Sequence, residues 1–179
     1  MNCLELILII KWEDRLSCLN RDCKIRINTK ILRISNVVFD NNNLNEHLLG
    51  TFIDQATNKK PIHLFRNSQN CIQNYVYITD LVEIIYNALD YPSFEIFNIG
   101  NIIPVNNNSL AKLIDERFKC GVELANSSKI AKSIRVNSDK SARLLLRSKS
   151  YYEIEDMVDL IAEYQENQSR ELMRLFKDL

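Results

Sequence analysis

The spacing of apolar residues along this chain changes repeatedly between about two and about three to four, which predicts strands alternating with helices. The first twenty or so residues are predicted to form a helix, from the apolar positions Leu4, Leu8, Trp12, Leu16 and Leu19. A β-rich run from Ile31 to Phe39 then predicts a strand that ends near Asn36. The pattern therefore opens as a helix followed by a strand.

The rest of the chain continues this alternation. The predicted elements are a helical stripe from Leu44 to Ala56, strands over 62–65 and 71–78, a helix to Leu89 with Thr79 and Asp80 at its N-cap, a strand from Phe94 to Ile99, a helix opened by Ser109, a short helix capped at Asn137 and Ser138, and an amphipathic helix from Glu153. This order favours an α/β fold over a bundle or a sandwich. With 179 residues and no Pro/Gly/Ser-rich linker, the chain is expected to form one domain with a proper core.

Charge and cysteine usage narrow the function classes. The 23 basic and 23 acidic side chains balance, which argues against a nucleic-acid binder that relies on phosphate neutralisation. The five cysteines follow no metal-ligand or disulfide spacing, as expected of reduced thiols in the cytoplasm. The apolar stretch from Leu4 to Ile10 lacks the features of a signal peptide and is too short to span a membrane. No membrane partner and no bound metal are expected.

Glycine is scarce and widely spaced. The chain contains only Gly50, Gly100 and Gly121, so neither a P-loop nor a G-x-G-x-x-G turn can be present in it. Any nucleotide chemistry must therefore use another part of a fold, or another chain.

Four stretches, in order, resemble the C-terminal half of the NAD-dependent epimerase/dehydratase family, the extended short-chain dehydrogenase/reductases that act on nucleotide sugars. The segment from Ile31 to Phe39 resembles the family's L-R-x-x-N-v-y-G strand, and the segment from Gln73 to Val82 resembles R-D-y-v-y-v-x-D-v-v. The other two are 97–100, similar to y-N-i-G, and 137–145, similar to D-x-s-K-a-x-x-x-L. The resemblance extends over roughly residues 12–165, which is most of the chain.

The resemblance implies the C-terminal portion of a Rossmann-like fold. It would comprise the last sheet strands and the small substrate-binding subdomain, without the N-terminal dinucleotide-binding half. Residues 1–40 would end the Rossmann-like part, and residues 41–179 would mainly form the sugar-nucleotide-binding part with a C-terminal helix. Family members use NAD(P), which this chain is not expected to bind alone.

The family's catalytic pair has no counterpart. Members carry Tyr-x-x-x-Lys ahead of the L-R-x-x-N strand, and alignment places Glu5 and Ile9 at those positions. No tyrosine precedes Tyr75, so the general acid/base is missing from this stretch under any local alignment. No catalytic residue is therefore assigned.

Two residues are candidates for substrate binding by resemblance. In relatives the Asn of L-R-x-x-N points into the sugar-nucleotide site, and that role carries over to Asn36; the alternative is a strand-end asparagine that satisfies local backbone groups. Gln73 stands where relatives have an arginine and could hydrogen-bond a phosphate, although it cannot offer a charged fork. The alternative for Gln73 is a solvated residue on an edge strand.

Two functions remain open. The chain is either the substrate-binding part of a nucleotide-sugar epimerase/dehydratase, truncated or split and not catalytic alone, or a non-enzymatic interaction or regulatory module derived from that fold. In the first case the two matching sheet strands should have unpaired edges, which proteins normally cover. A complementing N-terminal half, or self-association through Leu4 to Ile10, is the expected partner.

Overall fold

The computed structural model describes residues 6–13, 27–39, 47–128, 132–146 and 151–177, with side chains from residue 29 to residue 167 within those ranges. The strands are β1 (Leu6–Glu13), β2 (Ile27–Ile34), β3 (Asn36–Val38), β4 (Ile62–Phe65), β5 (Ile72–Gln73), β6 (Tyr75–Tyr77), β7 (Glu95–Ile99), β8 (Val105–Asn106) and β9 (Val122–Ala125). The helices are α1 (Leu48–Thr57), α2 (Ile78–Leu89), α3 (Asn107–Phe118), α4 (Asp139–Leu145) and α5 (Ile154–Lys177).

The chain forms two compact units, each assembled from three separate segments. The first unit comprises Met1–Val37, Tyr75–Ile102 and Val136–Tyr151, and the second comprises Val38–Asn74, Ile103–Arg135 and Tyr152–Leu179. The division of the chain at residue 40 into a Rossmann-like part and a sugar-nucleotide part stays a prediction about function.

A three-stranded sheet of order β1-β2-β7 organises the first unit. β2 and β7 are parallel, with Leu32 opposite Phe97 and Ile34 opposite Ile99, whereas β1 pairs antiparallel to β2 over eight residue pairs. A separate two-stranded pairing joins β3 to β6. The three-stranded sheet holds the carboxyl ends of β2 and β7 side by side.

The core of the first unit lies on one face of this sheet. Alternate residues of β2 and β7 are buried there against α2 and α4, since side chains on a strand alternate between faces. The buried members are Leu32, Ile34, Val76, Leu81, Ile84, Ala88, Phe97, Ile99, Leu145, Leu146 and Tyr151. Lys30 lies on the same face of β2 as Leu32 and Ile34 and is also buried. Its Nζ donates to the Leu89 carbonyl, 3.5 Å away at the end of α2. Burial lowers the pKa of Lys30, and nearby Asp90 partly opposes that shift.

The second unit packs α1, α3 and α5 with the parallel pair β4–β9. His47 caps α1 by accepting a hydrogen bond from the Gly50 backbone N–H, and Asn106 caps α3 in the same way from Asn108 and Ser109. Lys59 and Lys119 adopt left-handed backbone conformations just after α1 and α3, a common way for helices to end. The buried side chains include Leu49, Phe52, Ile53, Ile62, Leu64, Leu110, Ile114, Met157, Val158 and Ile161.

The helix predicted for the first twenty residues is wrong over residues 6–13, which form β1; the rest of that prediction lies outside the described residues. Leu8 and Trp12 fit a helical spacing, but Ile7, Ile9 and Ile10 are β-branched and favour a strand. The available edge of β2 then decides between the two. The expectation of an unpaired edge on β2 is corrected by the same observation, because β1 and β7 flank it on both sides.

The N-cap predicted at Thr79 and Asp80 is also corrected. α2 begins at Ile78 with Tyr77 as the capping residue, so Asp80 lies in the first turn of the helix. Its side chain is buried there. A carboxylate in this position is stabilised by the positive end of the helix dipole.

Within the described residues, no helix combines the length and the apolar character that a bilayer-spanning segment requires.

Candidate functional site

The carboxyl ends of β2 and β7 form the candidate site of the first unit. The Ser35 backbone N–H donates to the Ile99 carbonyl at 2.9 Å, which holds the chain after β2 beside the end of β7. Asn101 N–H donates to the Tyr75 carbonyl at 2.7 Å and fixes the chain that leaves β7. In open α/β sheets, ligands bind outside the carboxyl ends of the strands. This edge is therefore where a ligand of the first unit is expected.

Asn36 lies at this edge as the first residue of β3. Asn36 is half-buried and makes a polar contact within the protein. That position suits a side chain that faces a ligand and equally suits one that satisfies local backbone groups. The role of Asn36 stays a prediction.

A buried network of hydroxyl groups supports the same edge. Ser141 Oγ lies 2.6 Å from the Asn98 carbonyl oxygen, 2.8 Å from the Ser138 carbonyl oxygen and 3.3 Å from the Tyr151 hydroxyl. Ser141 carries one hydroxyl hydrogen, so it donates to one carbonyl at a time and can accept from Tyr151. The network fastens α4 and Tyr151 to β7 just before its carboxyl end.

The environment of Tyr151 keeps its phenol protonated. Burial raises the pKa of Tyr151, the hydrogen bond with Ser141 lowers it, nearby Asp80 raises it, and the Gly100 backbone N–H lowers it; the net direction is upward. A buried phenol of raised pKa is a stable hydrogen-bond donor at neutral pH and a poor general base. Tyr151 therefore serves the architecture of the edge.

Gln73 lies in the second unit, at the end of β5. Its side-chain Nε2 donates to the Lys132 carbonyl at 3.2 Å, and the Ile72 N–H donates to Ser133 Oγ at 3.1 Å. The Ile134 N–H in turn donates to the Ile72 carbonyl at 2.7 Å. The amide donor of Gln73 is thus used to hold residues 132–134 against β5.

The two predicted site residues fall in different units. Asn36 belongs to the sheet edge of the first unit, and Gln73 belongs to β5 of the second. The Ser141–Tyr151 contact was missed by sequence analysis. Ser141 lies within the stretch that resembles D-x-s-K-a, which offered a signal for it, but nothing in the sequence around Tyr151 indicates its partner.

The histidines have structural contacts. His47 Nδ1 accepts from the Gly50 N–H at 3.1 Å and so caps α1. His63 lies opposite Glu123 on the neighbouring strand, with 3.7 Å between Nδ1 and the carboxylate, and both side chains are largely exposed. In the part of the chain that the structure describes, no three His, Cys, Asp or Glu side chains come together as a metal site would require.

Comparison with known families identifies one match. Residues 17–100 match the model of the NAD dependent epimerase/dehydratase family. That range includes β2, Asn36, Gln73 and the end of β7. Comparison with curated protein sequences gives no match.

Three solved structures with a similar fold are named as nucleotide-sugar enzymes. UDP-glucose 4-epimerase from Thermotoga maritima, solved with UDP-glucose, has a TM-score of 0.65 and 22% identity, and the match covers 78% of this chain and 46% of that one. dTDP-glucose 4,6-dehydratase from Bacillus anthracis, solved with NAD, has a TM-score of 0.64 and 18% identity, covering 79% and 45%. UDP-N-acetylglucosamine 4-epimerase from Bacillus cereus has a TM-score of 0.55 and 24% identity, covering 76% and 44%.

The match thus spans less than half the length of each of these enzymes. Identities of this size establish likeness of fold alone. This chain has the α/β fold of the extended short-chain dehydrogenase/reductase epimerases and dehydratases, and over residues 17–100 it matches the NAD dependent epimerase/dehydratase family.

Proposed function

We propose that this chain is the substrate-binding C-terminal part of an NAD-dependent nucleotide-sugar epimerase/dehydratase-like protein and does not turn over substrate by itself. The observation that carries the proposal is the position of Asn36. Asn36 lies two residues beyond the end of β2, which is parallel to β7, at the carboxyl edge of the sheet and within the range that matches the family. Polar side chains at this edge are where α/β folds bind ligands.

The structure of β1 is consistent with the proposed absence of the catalytic Tyr-x-x-x-Lys pair. A Tyr-x-x-x-Lys pair needs a helix, because residues four apart then lie on the same face. Glu5 and Ile9 occupy the aligned positions, and Ile9 lies in a strand. The acid/base tyrosine and the glycine-rich loop for NAD would accordingly have to be supplied by polypeptide outside these 179 residues.

The proposed ligand class is a nucleoside diphosphate sugar. Three of the structures with a similar fold were solved with ligands: one with UDP-glucose, one with NAD, and one with UDP-glucuronic acid and NAD. A chain that keeps only the substrate-binding part would bind the sugar nucleotide and leave NAD unbound. Which sugar nucleotide is bound is the first question for experiment.

Calorimetric titration of the 179-residue chain with UDP-glucose and dTDP-glucose tests the proposal. We expect binding of at least one of them, and we expect Asn36→Ala to weaken it by about tenfold, the equivalent of one lost hydrogen bond. Asn58→Ala is the matched control, because Asn58 is an exposed asparagine at the end of α1 and should leave binding unchanged. Absence of binding to both sugar nucleotides would contradict the proposal, and equal binding by the two variants would remove Asn36 from it.

The second candidate is a non-enzymatic interaction or regulatory module. It is favoured by Gln73, whose neutral amide holds a backbone carbonyl where relatives have an arginine. Stable self-association in size-exclusion chromatography, together with no sugar-nucleotide binding, would support this candidate over the first.

A further inference from the structure

The two edges of the three-stranded sheet differ in how they are covered. At the β7 edge, the Asn98 carbonyl oxygen lies 2.6 Å from Ser141 Oγ of α4. Glu95 forms an ion pair with Lys140 of the same helix. The other edge is β1, and no strand among the described residues pairs with its outer side. Unpaired backbone groups along a strand pair readily with another strand, so this edge is available for an interaction.

β1 has the composition of a strand from the interior of a sheet. Its register with β2 places Leu6, Leu8 and Ile10 on the core face, and it places Ile7 and Ile9 on the other face. Apolar residues on both faces are typical of strands that are paired on both sides. Between Leu6 and Ile10 the strand has no proline, charge or bulge, which are the usual features that prevent pairing at an edge.

The hydrogen bonds at the end of β2 show which backbone groups of β1 face outward. The Ser35 N–H points toward β7, since it donates to a carbonyl at the end of that strand at 2.9 Å. Backbone groups alternate along a strand, so those of Leu32 point the other way, toward β1, where Leu8 lies opposite. Ile7 and Ile9, the neighbours of Leu8, therefore present their N–H and C=O groups at the outer edge.

Two copies of β1 can pair with each other about a two-fold axis normal to the sheet. Such an axis makes the strands antiparallel and keeps the core faces of both copies on the same side, so one residue lies opposite its own copy. With Leu8 at this centre, Ile7 lies opposite Ile9 of the second copy, and both have outward backbone groups. Leu6 lies opposite Ile10 in the same register. Each apolar residue of this run then faces an apolar residue.

The charges beside the apolar run favour the same register. The sequence places Glu5 opposite Lys11 of the second copy, and the two-fold axis repeats this pair. A shift of the centre to Ile9 instead places Glu5 opposite Glu13. Opposite charges stabilise a pair of strands, whereas like charges directly opposite each other destabilise it. The strand is thus complementary to a second copy of itself.

We propose that β1 is an interaction surface for a second copy of this chain, and that the two sheets join by antiparallel pairing of β1 with β1 centred on Leu8. The joined sheet has the order β7-β2-β1-β1-β2-β7, and its outer edges are the β7 edges beside α4. A two-fold pairing of this kind closes on itself, so its product is a dimer. The dimer needs no bound sugar nucleotide, so this inference goes beyond the proposed function.

Sedimentation equilibrium of the 179-residue chain over a range of concentrations tests the proposal. We expect the wild type to sediment as a dimer and Ile9→Pro to sediment as a monomer, because proline lacks the N–H that this position presents at the outer edge. Ile9→Val is the matched control, since it keeps the N–H and a β-branched side chain and should remain dimeric. A wild type that is monomeric at every concentration, or a dimeric Ile9→Pro, would overturn the proposal.

Charge reversal tests the register and leaves the backbone intact. We expect Lys11→Glu to weaken dimerisation about tenfold, because two attractive pairs become repulsive. Adding Glu5→Lys to Lys11→Glu should restore the wild-type affinity. Lys112→Glu is the control for general charge, since Lys112 is an exposed lysine on α3 of the second unit. Failure of the double variant to restore dimerisation, or an equal loss in Lys112→Glu, would contradict the pairing of β1 with itself. Circular dichroism of each variant excludes loss of fold as the cause.

Titration of the same samples with UDP-glucose separates this inference from the proposed function. A monomeric wild type that binds UDP-glucose would overturn the dimer and leave the proposed function standing. A dimeric wild type that responds to both substitutions in β1 supports the dimer, whether or not UDP-glucose binds.

Discussion

The Ser141 and Tyr151 hydroxyl groups show how single residues shape the first unit. Both side chains are buried, and their oxygens lie 3.3 Å apart, next to the carbonyl of Asn98 in β7. A buried hydroxyl needs a partner because its desolvation otherwise costs about 1–3 kcal/mol. The need of each buried hydroxyl for a partner therefore restricts how Ser141 and Tyr151 can pack beside β7.

Tyr151→Phe should change the alkaline stability of the protein. The folded-state pKa of Tyr151 is raised above its ordinary value near 10, so the unfolded state loses this proton first and stability falls as pH rises above about 10. Phenylalanine removes that fall and costs about 1 kcal/mol at neutral pH through the lost hydrogen bond. Urea unfolding at pH 7 and pH 10.5 measures both effects.

Tyr86→Phe provides the comparison, because Tyr86 is an exposed tyrosine on α2. It should leave stability at neutral pH unchanged. An alkaline loss of stability in Tyr151→Phe equal to that of the wild type would show that Tyr151 does not control it.

For single residues, the sequence indicated candidate site positions but not the residues that those positions contact. Asn36 and Gln73 could be named because each lies in a stretch that resembles a family motif. The partner of Gln73 could not be named, because Lys132 is 59 residues away in the chain and the two meet only through folding. Tyr151 is 10 residues from Ser141, but its contact depends on burial that no local pattern reveals.

Among the elements, β1 is the strand for which the pattern predicted a helix. Its apolar residues fit the helical period and also fit a short buried strand, a known ambiguity for short apolar runs. Pairing with β2 along eight residues decides for the strand.

The helices α1, α2, α3, α4 and α5 were each predicted within a few residues, because caps and apolar stripes are local signals. The short strands β8 and β9 were missed, since two and four residues carry too little pattern.

Proline substitutions at Ile9 and Ile10 should reveal the strand. In an antiparallel ladder, the N–H groups of neighbouring residues point alternately toward the partner strand and away from it. Only one of Ile9→Pro and Ile10→Pro therefore removes a hydrogen bond to β2, and we expect the two variants to differ in unfolding free energy by about 1–3 kcal/mol. Urea unfolding of both variants measures the difference. A helix over this segment would give similar, large losses for both.

At the scale of the whole molecule, the change in Tm that each ligand causes tests the two parts of the proposed function. These parts are that the chain binds a sugar nucleotide and that it leaves NAD unbound. A ligand that binds only the folded state stabilises it by about 2.7 kcal/mol at a hundred times its Kd. We expect UDP-glucose to raise the Tm of the 179-residue chain and NAD to leave it unchanged. Differential scanning fluorimetry with each ligand, at matched ionic strength, measures this. A Tm shift with NAD alone would contradict the proposed division of roles.

The fold class followed from the order of elements and motifs, whereas the division into two units did not. The alternation of strands and helices and the order of the four motif-like stretches follow directly from the linear sequence. The units are defined by contacts between segments far apart in sequence, such as β2 with β7. No local pattern encodes which distant segments meet.

The assembly of each unit from three segments has a consequence for how the gene can vary. The chain passes between the units at residues 37–38, 74–75, 102–103, 135–136 and 151–152. A premature stop anywhere before residue 136 would therefore remove a segment from both units at once. An early nonsense mutation could not discard one unit and leave the other whole. Selection on the first unit would preserve the reading frame to residue 151, and selection on the second would preserve it to residue 179.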